Sequence, residues 1–289
     1  MRWMHTLALA GGIADASALR EAGATSRALT EAVRAGVLTR PRRGYYADAS
    51  APAEGIVAVA SGGRLSCTSA ARSFGLWGGT DPSLHVCVPP HSTRLPSADV
   101  VRHWIDTAPA EAWRVSLPDC LRTVVRCADE ETAIAVLDTA IAGGMASLAM
   151  IRRMFESEPA WTREVAAKAR PGSDSGVESI ARQRLTAAGH VVEQQVQVAG
   201  VGRVDLRIDG CLFVEIDGFA FHGGRESFER DRARDAGLAL RRERRLRVSA
   251  RQVLNEWEVV RSLIETVLTT PEIGAESVPK REQLRRSGP

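Results

Sequence analysis

The chain has 289 residues, of which 44% are hydrophobic and 25% are charged, and its formal net charge is +3. This composition is ordinary for a soluble globular protein of two or three domains, and no apolar run approaches the roughly 18 residues of a membrane helix. The five cysteines are scattered without a Cys-x-x-Cys pair, which argues against a disulfide framework and a zinc site and favours a reducing cytoplasm.

The first 50 residues carry the signals of short helices followed by a hairpin. A helix over 25–35 is predicted, because Thr-Ser can cap its start and a glycine ends it. Two short strands are predicted at 37–39 and 44–47. The turn between them carries three arginines, Arg40, Arg42 and Arg43. This order is typical of a winged helix-turn-helix that binds DNA, with the arginines on phosphates. The alternative is a small helical module used for packing or protein contact.

The segment Gly36–Tyr46 resembles the N-terminal domain of the AbiEi-type antitoxin family. The corresponding segment of that family follows the pattern G-V-L-x-R-x-x-x-G-x-Y, and this chain reads Gly-Val-Leu-Thr-Arg-Pro-Arg-Arg-Gly-Tyr-Tyr. The resemblance implies a DNA-binding winged helix at residues 1–50 of an antitoxin-like protein.

Residues 51–170 are predicted to form a mixed α+β connecting domain without chemistry of its own. The predicted elements are strands at 85–88 and 100–105 and helices at 118–127, 132–141 and 145–155. The histidines do not share metal-ligand spacing with any cysteine or carboxylate pair: His85, His91 and His103. A polar stretch, 168–175, predicts a linker.

Residues 175–269 show helix and strand signals in the order α-β-β-β-α-β-α, with the last two helices predicted at 227–240 and 252–268. The tail 270–289 is predicted to be disordered. In the central hairpin the even positions 204, 206, 208, 212, 214 and 216 are apolar, and the odd positions 203, 205, 207, 209, 215 and 217 are charged. The apolar faces of both strands must pack against one core, so even-numbered residues of one strand must pair with even-numbered residues of the other. A loop with an odd number of residues, or a bulge, is therefore expected around Gly210.

Three acids then share one face of this hairpin: Asp205, Glu215 and Asp217. Clustered carboxylates repel one another unless a cation intervenes, and hard oxygen ligands suit Mg²⁺ or Mn²⁺. Such an ion can activate water and neutralise phosphate. The alternative is a solvated face whose acids pair with Arg203 and Arg207.

The same segment resembles the very-short-patch-repair-endonuclease-like branch of the PD-(D/E)xK superfamily. The matching motifs are Val-Asp-Leu at 204–206, Val-Glu-Ile-Asp-Gly at 214–218, His222, and the F-x-x-D-R-x-R-D pattern at 228–235. The resemblance covers about 175–268. It implies an α/β fold with a restriction-endonuclease-like αβββαβ core.

The resemblance also implies roles for single residues. Asp205 and Glu215 would be metal ligands, and His222 would be a general base or a hydrogen-bond donor to the transition state. Asp217 stands where many members have a catalytic lysine, and this departure puts activity in doubt. Glu178 matches an acid that many members point at the metal, although an ordinary acid in the first turn of a helix fits it as well.

A basic patch follows the acids and could lie along a nucleic-acid backbone or form a solvated strand edge. Its candidate contacts, with one arginine of the preceding helix, are Arg232, Arg244 and Arg245. Together these features predict a cytoplasmic, DNA-binding, metal-dependent endonuclease, and RNA is not excluded as its substrate. The alternative is a DNA-binding regulator or antitoxin-like protein whose nuclease fold has lost catalysis.

Overall fold

The computed structural model describes residues 2–107, 111–199, 202–218 and 244–270. These residues form twelve helices and three small sheets, so the protein belongs to the mixed α/β class, as predicted. The chain divides into two compact units: Met1–His190 with Gln194–Val196, and Val191–Glu193 with Gln197–Pro289. None of the described helices is long and apolar enough to cross a bilayer.

The first unit contains ten helices and two three-stranded sheets among its described residues. The helices are α1 (Arg2–Leu9), α2 (Ala16–Glu21), α3 (Ser26–Arg34), α4 (Ala53–Ala60), α5 (Cys67–Ser73), α6 (Leu117–Cys127), α7 (Glu130–Ala142), α8 (Leu148–Phe155), α9 (Ala160–Ala167) and α10 (Gly176–Ala187). The strands are β1 (Ile13–Asp15), β2 (Thr39–Arg42), β3 (Tyr45–Ala47), β4 (Arg64–Leu65), β5 (His85–Val88) and β6 (Val101–Trp104).

The N-terminal elements form a small sheet of order β1-β3-β2 beside three helices. Thr25 caps α3 as predicted, because its hydroxyl accepts a hydrogen bond from the Ala28 amide. The first strand of the hairpin begins at Thr39, so the prediction of a strand at 37–39 was wrong. The amides of residues 37 and 38 both donate to the Ala32 carbonyl, and this turn after α3 uses the groups that a strand would need.

The second sheet has the order β4-β5-β6, with β5 antiparallel to β4 and parallel to β6. The strands predicted at 85–88 and 100–105 are confirmed, as are the helices predicted near α6, α7 and α8. Three helices of this region were not predicted: α4, α5 and α9. The sequence of α5, CTSAARS, shows why, because small and polar residues give no apolar periodicity although five of its seven residues are buried.

The stretch predicted as a linker is packed within the first unit. Ala169 and Ser173 are fully buried, and the Arg170 amide donates to the Asp138 carboxylate at 2.7 Å. The following helix, α10, packs against α7. It is held there by Asp138, which also accepts hydrogen bonds from Ser179 at 2.7 Å and from Arg182 at 2.9 Å.

The second unit contains a four-stranded sheet and two helices among its described residues. Its elements are β7 (Val192–Val198), β8 (Gly202–Ile208), β9 (Leu212–Asp217), β10 (Arg244–Ser249), α11 (Ala250–Asn255) and α12 (Trp257–Thr269). The strand order is β10-β9-β8-β7, with β8 antiparallel and β10 parallel to β9. The helix predicted over 252–268 is broken at Glu256, which has φ −133° and ψ 38°.

The prediction that the hairpin loop has an odd number of residues is confirmed. Ile208 pairs with Leu212, which leaves a three-residue connection at 209–211. Asp209 and Gly210 both have positive φ, at 49° and 71°, as a tight turn of this length requires. The helix predicted at 227–240 and the tail from residue 271 lie outside the described residues.

Candidate functional site

The three predicted acids lie on one face of β8 and β9. Leu206 pairs with Val214, and continuing the same register places Asp205 opposite Glu215. Asp217 lies two residues further along β9 and therefore points to the same face. The parity argument thus places the acids together on adjacent strands.

Asp205 is fixed against the neighbouring strand. Its Oδ2 accepts a hydrogen bond from the Ile216 amide at 2.8 Å. A carboxylate held by a backbone amide of the next strand keeps a defined direction, because the amide itself is fixed by the sheet.

Glu215 is buried and meets two arginines from β10. The parallel register places Arg247 beside Glu215, and the Arg247 and Arg245 guanidiniums donate to Glu215 Oε2 at 2.6 and 2.8 Å. Burial alone would raise the pKa of Glu215, but the hydrogen bonds from Arg247 and Arg245 outweigh it and hold this pKa below its usual value. The other carboxylate oxygen, Oε1, is also buried and has no hydrogen-bond partner among the described residues.

Arginines of β8 and β10 pair with acids of this sheet. Arg207 of β8 bonds to Glu193 of β7 at 2.8 Å. Arg247 Nε lies 3.8 Å from Asp217 Oδ2, so it approaches two acids of the face. β10 thus brings positive charge to Glu215 and Asp217 across the parallel ladder.

The other candidate residues of the predicted nuclease belong to the first unit or lie outside the described residues. His222 and Arg232 fall in the undescribed range 219–243. Glu178 lies in the first unit, where its carboxylate accepts hydrogen bonds from the Asp174 amide and the Gln195 side chain at 3.0 and 2.7 Å.

Some of the arginines predicted to contact nucleic acid bind other groups of the protein, and others are exposed. Arg244 donates to the carbonyls of residues 267, 268 and 270, where it caps the C-terminal end of α12. Arg245 is the partner of Glu215. In the N-terminal hairpin, Arg40 and Arg42 lie exposed on β2, and Arg43 lies exposed in the turn that follows.

A second group of side chains converges in the first unit, where no chemistry was expected. One ligand atom from each of four residues lies within 4.8 Å of every other: Cys67, His85, His103 and Cys127. His85 Nδ1 lies 3.1 Å from His103 Nε2 and 3.7 Å from Cys127 Sγ. The expectation that these histidines and cysteines form no metal-type cluster was therefore wrong.

The parallel sheet explains how the two histidines meet. His103 pairs with Cys87, two residues beyond His85 on β5, so both imidazoles project from the same face of adjacent strands. Their rings stack with centroids 5.3 Å apart. Cys67 begins α5, and Cys127 ends α6.

The two thiols of this cluster are not equivalent. Hydrogen bonds from Cys67, His103 and His85 lower the pKa of Cys127. The hydrogen bond to Cys127, together with burial, raises the pKa of Cys67. Cys127 is thus the thiol that ionises first, and the thiolate is the form of cysteine that binds metals.

Sequence spacing gives little signal for this cluster, because its successive members are 18 to 24 residues apart along the chain. The signal that was available is the presence of one histidine on each of the strands predicted at 85–88 and 100–105. Within the part of the chain that the structure describes, the metal-type group consists of cysteines and histidines, not acids. The Mg²⁺ site stays a prediction.

No protein-family model matches the chain, and no curated protein matches it.

Proposed function

We propose that the chain is a DNA-binding, metal-dependent endonuclease whose acid face hydrolyses phosphodiester bonds. The observation that carries this proposal is the geometry of Glu215. One carboxylate oxygen is held by two arginines, while the other is buried without a hydrogen-bond partner among the described residues. A buried carboxylate oxygen without a partner is energetically unfavourable, and a bound cation would satisfy it.

The donors on this face fit a hard divalent cation. Asp205 and Glu215 would hold Mg²⁺ or Mn²⁺, and Asp217 would support the ion directly or through water, since all three offer carboxylate oxygen. When bound, the ion would supply a water of lowered pKa and neutralise charge on the phosphate. The resemblance to the PD-(D/E)xK superfamily assigns proton transfer to His222.

Arg247 supplies a positive charge near position 217, where many members of that superfamily carry lysine and this chain carries aspartate. Its guanidinium bonds to Glu215 and lies 3.8 Å from Asp217, so positive charge is present on the acid face although the residue at 217 is an acid. A guanidinium stays protonated at all relevant pH values and can stabilise charge that develops on a phosphate.

The topology of both ends of the chain supports the same function. The second unit has the expected βββ order, with β10 added parallel to β9. At the N-terminus, a helix pair precedes a hairpin with exposed arginines, and α3 buries only Leu29. Its remaining polar surface is available for a DNA groove, as in a winged helix-turn-helix.

The test is nicking of supercoiled plasmid by the full chain with Mg²⁺ or Mn²⁺. Glu215→Gln keeps the size of the side chain but removes the charge that binds metal, so the rate is expected to fall at least about 100-fold. Glu193→Gln is the matched control, because Glu193 is also a strand acid paired with an arginine but lies on β7. Its rate should stay near wild type.

The alternative function is a DNA-binding regulator with a catalytically inactive nuclease fold. The observation favouring it is that Arg245 and Arg247 already neutralise Glu215 without a metal. If wild type binds DNA but does not nick plasmid with either metal, the regulator is the correct function. Equal nicking by wild type and Glu215→Gln would contradict the assignment of the acid face.

DNA binding through the N-terminal hairpin gives a separate prediction. Replacing Arg40, Arg42 and Arg43 together by glutamine should weaken binding of duplex DNA and lower the salt slope of log Kd by about 3, because each phosphate contact contributes about 1. Fluorescence anisotropy over a salt series measures both quantities.

A triple variant with the same charge loss is the control for this experiment. The exposed arginines Arg152, Arg153 and Arg163 lie on α8 and α9, and their replacement by glutamine should leave the salt slope unchanged. Equal effects of the two triple variants would show that net charge, not the hairpin, governs binding.

A further inference from the structure

We propose that the first unit binds one Zn²⁺ ion through Cys67 Sγ, His85 Nδ1, His103 Nε2 and Cys127 Sγ, and that this ion is structural. None of these four ligands is a residue of the acid face, and the proposal does not depend on the proposed nuclease function.

The distances fit a single tetrahedral ion. With Zn–N near 2.0–2.1 Å and Zn–S near 2.3 Å, the ligand atoms of a tetrahedral site lie roughly 3.3 to 3.8 Å apart. The two imidazole nitrogens are 3.1 Å apart, and His85 Nδ1 is 3.7 Å from Cys127 Sγ. All four atoms lie within 4.8 Å of one another, so small side-chain movements would complete the coordination.

The donor types select zinc over the hard cations. Two sulfurs and two imidazole nitrogens form the Cys₂His₂ set of structural zinc sites, whereas Mg²⁺ and Ca²⁺ take oxygen ligands. Binding would release the thiol protons to solvent, leaving two thiolates that neutralise the charge of the ion.

The surroundings of the ligands support a metal site. A histidine that binds metal usually directs its other ring nitrogen toward a carboxylate. His85 Nε2 lies 3.7 Å from Asp81 Oδ2. Because this nitrogen is buried without a hydrogen-bond partner among the described residues, a small closure of that distance would satisfy it and orient Nδ1 toward the ion.

The backbone places Cys67 in an uncommon conformation. Its φ is 49°, a left-handed value that residues with a Cβ rarely adopt. The Cys67 amide donates to the hydroxyl of the buried Thr123 on α6 at 3.1 Å, which holds this conformation. The fold therefore maintains a strained position that directs one thiol toward the other three ligands.

Four separate elements supply the ligands, and this explains the structural role. The ion would tie the start of α5 and the end of α6 to β5 and β6. All four coordination positions would be filled by protein, as in closed structural sites rather than catalytic ones. Cys127 is exposed whereas Cys67 is fully buried, so the ion can reach the site from the Cys127 side.

The test is the zinc content of the full-length protein, purified without chelators and measured by inductively coupled plasma mass spectrometry. We expect one zinc per chain in wild type, and loss of zinc in Cys67→Ser and Cys127→Ser. Cys211→Ser and His91→Gln are matched controls, because they remove exposed residues of the same types outside the cluster. Both should keep one zinc per chain.

Two further measurements keep the proposal testable where a serine variant does not fold. His103→Cys offers a Cys₃His set and should retain zinc. The wild-type protein loaded with Co²⁺ should show tetrahedral ligand-field bands and thiolate charge transfer, and His103→Cys should shift both. Removal of zinc by a chelator should lower the melting temperature by about 10 °C, with recovery on zinc addition.

Two results would contradict zinc binding at this cluster. Folded wild-type protein that contains no zinc after exposure to it, and gives no tetrahedral cobalt spectrum, would overturn the proposal. A disulfide between Cys67 and Cys127 in protein purified under reducing conditions would overturn it as well.

Discussion

Asp138→Ala is expected to destabilise the first unit by about 3–5 kcal/mol, the usual result of removing one partner from a buried ion pair. Asp138 is fully buried and accepts three hydrogen bonds: from the Arg170 amide, Ser179 and Arg182. The substitution leaves the Arg182 guanidinium in a site where it is 12% exposed and has lost its carboxylate. Urea denaturation followed by circular dichroism measures the loss.

Two variants make this result specific. Glu130 lies on the same helix as Asp138, but its ion pair with Lys168 is about half exposed on both sides, so Glu130→Ala should cost less than about 1 kcal/mol. Replacing Asp138 and Arg182 together by leucine should recover part of the loss, because no buried charge remains unpaired. A loss below 1 kcal/mol for Asp138→Ala would contradict the role given to this network.

Gly176→Ala is expected to destabilise the first unit by about 2–3 kcal/mol, although alanine normally favours a helix over glycine by up to about 1 kcal/mol. A Cβ at position 176 would lie 2.1 Å from Trp77 Cγ and 2.7 Å from Trp77 Cβ. Since Trp77 Cβ is attached directly to the backbone, rotation of the ring cannot relieve both contacts. Thermal unfolding of wild type and variant measures the difference.

A double-mutant cycle isolates the steric cause. In a Trp77→Gly background, the same Gly176→Ala substitution should be neutral or slightly stabilising, because the Cβ, Cγ and Cδ2 atoms that it would meet are gone. A destabilisation that persists without the indole would show that helix geometry, not contact with Trp77, requires glycine at this position.

The sequence predicted the acid face well, because that face depends on local periodicity. Alternation with period two fixes which residues of β8 and β9 share a face. The same alternation predicted a loop with an odd number of residues or a bulge, and the structure has a three-residue loop. The arginine partners of Glu215 could not be found in this way. They depend on the register between β9 and β10, strands that are far apart in the chain.

The cysteine–histidine cluster was missed for a related reason. Short-range spacing identifies metal sites built on one hairpin or helix, whereas this cluster takes its ligands from α5, β5, β6 and α6. The start of β2 was missed because the amides of residues 37 and 38 complete the turn after α3. Both features depend on contacts between residues, and these contacts cannot be read from the residue types alone.

The parallel pairing of β9 with β10 imposes an order of events during synthesis. Arg245 follows Glu215 by 30 residues (245 − 215), which corresponds to about 2–6 s of translation at typical rates. Until β10 emerges, β9 is an edge strand that carries Leu212, Phe213 and Val214, all buried in the finished sheet. The nascent chain therefore passes through a stage with an open apolar edge, at which strand pairing with another chain competes with completion of the sheet.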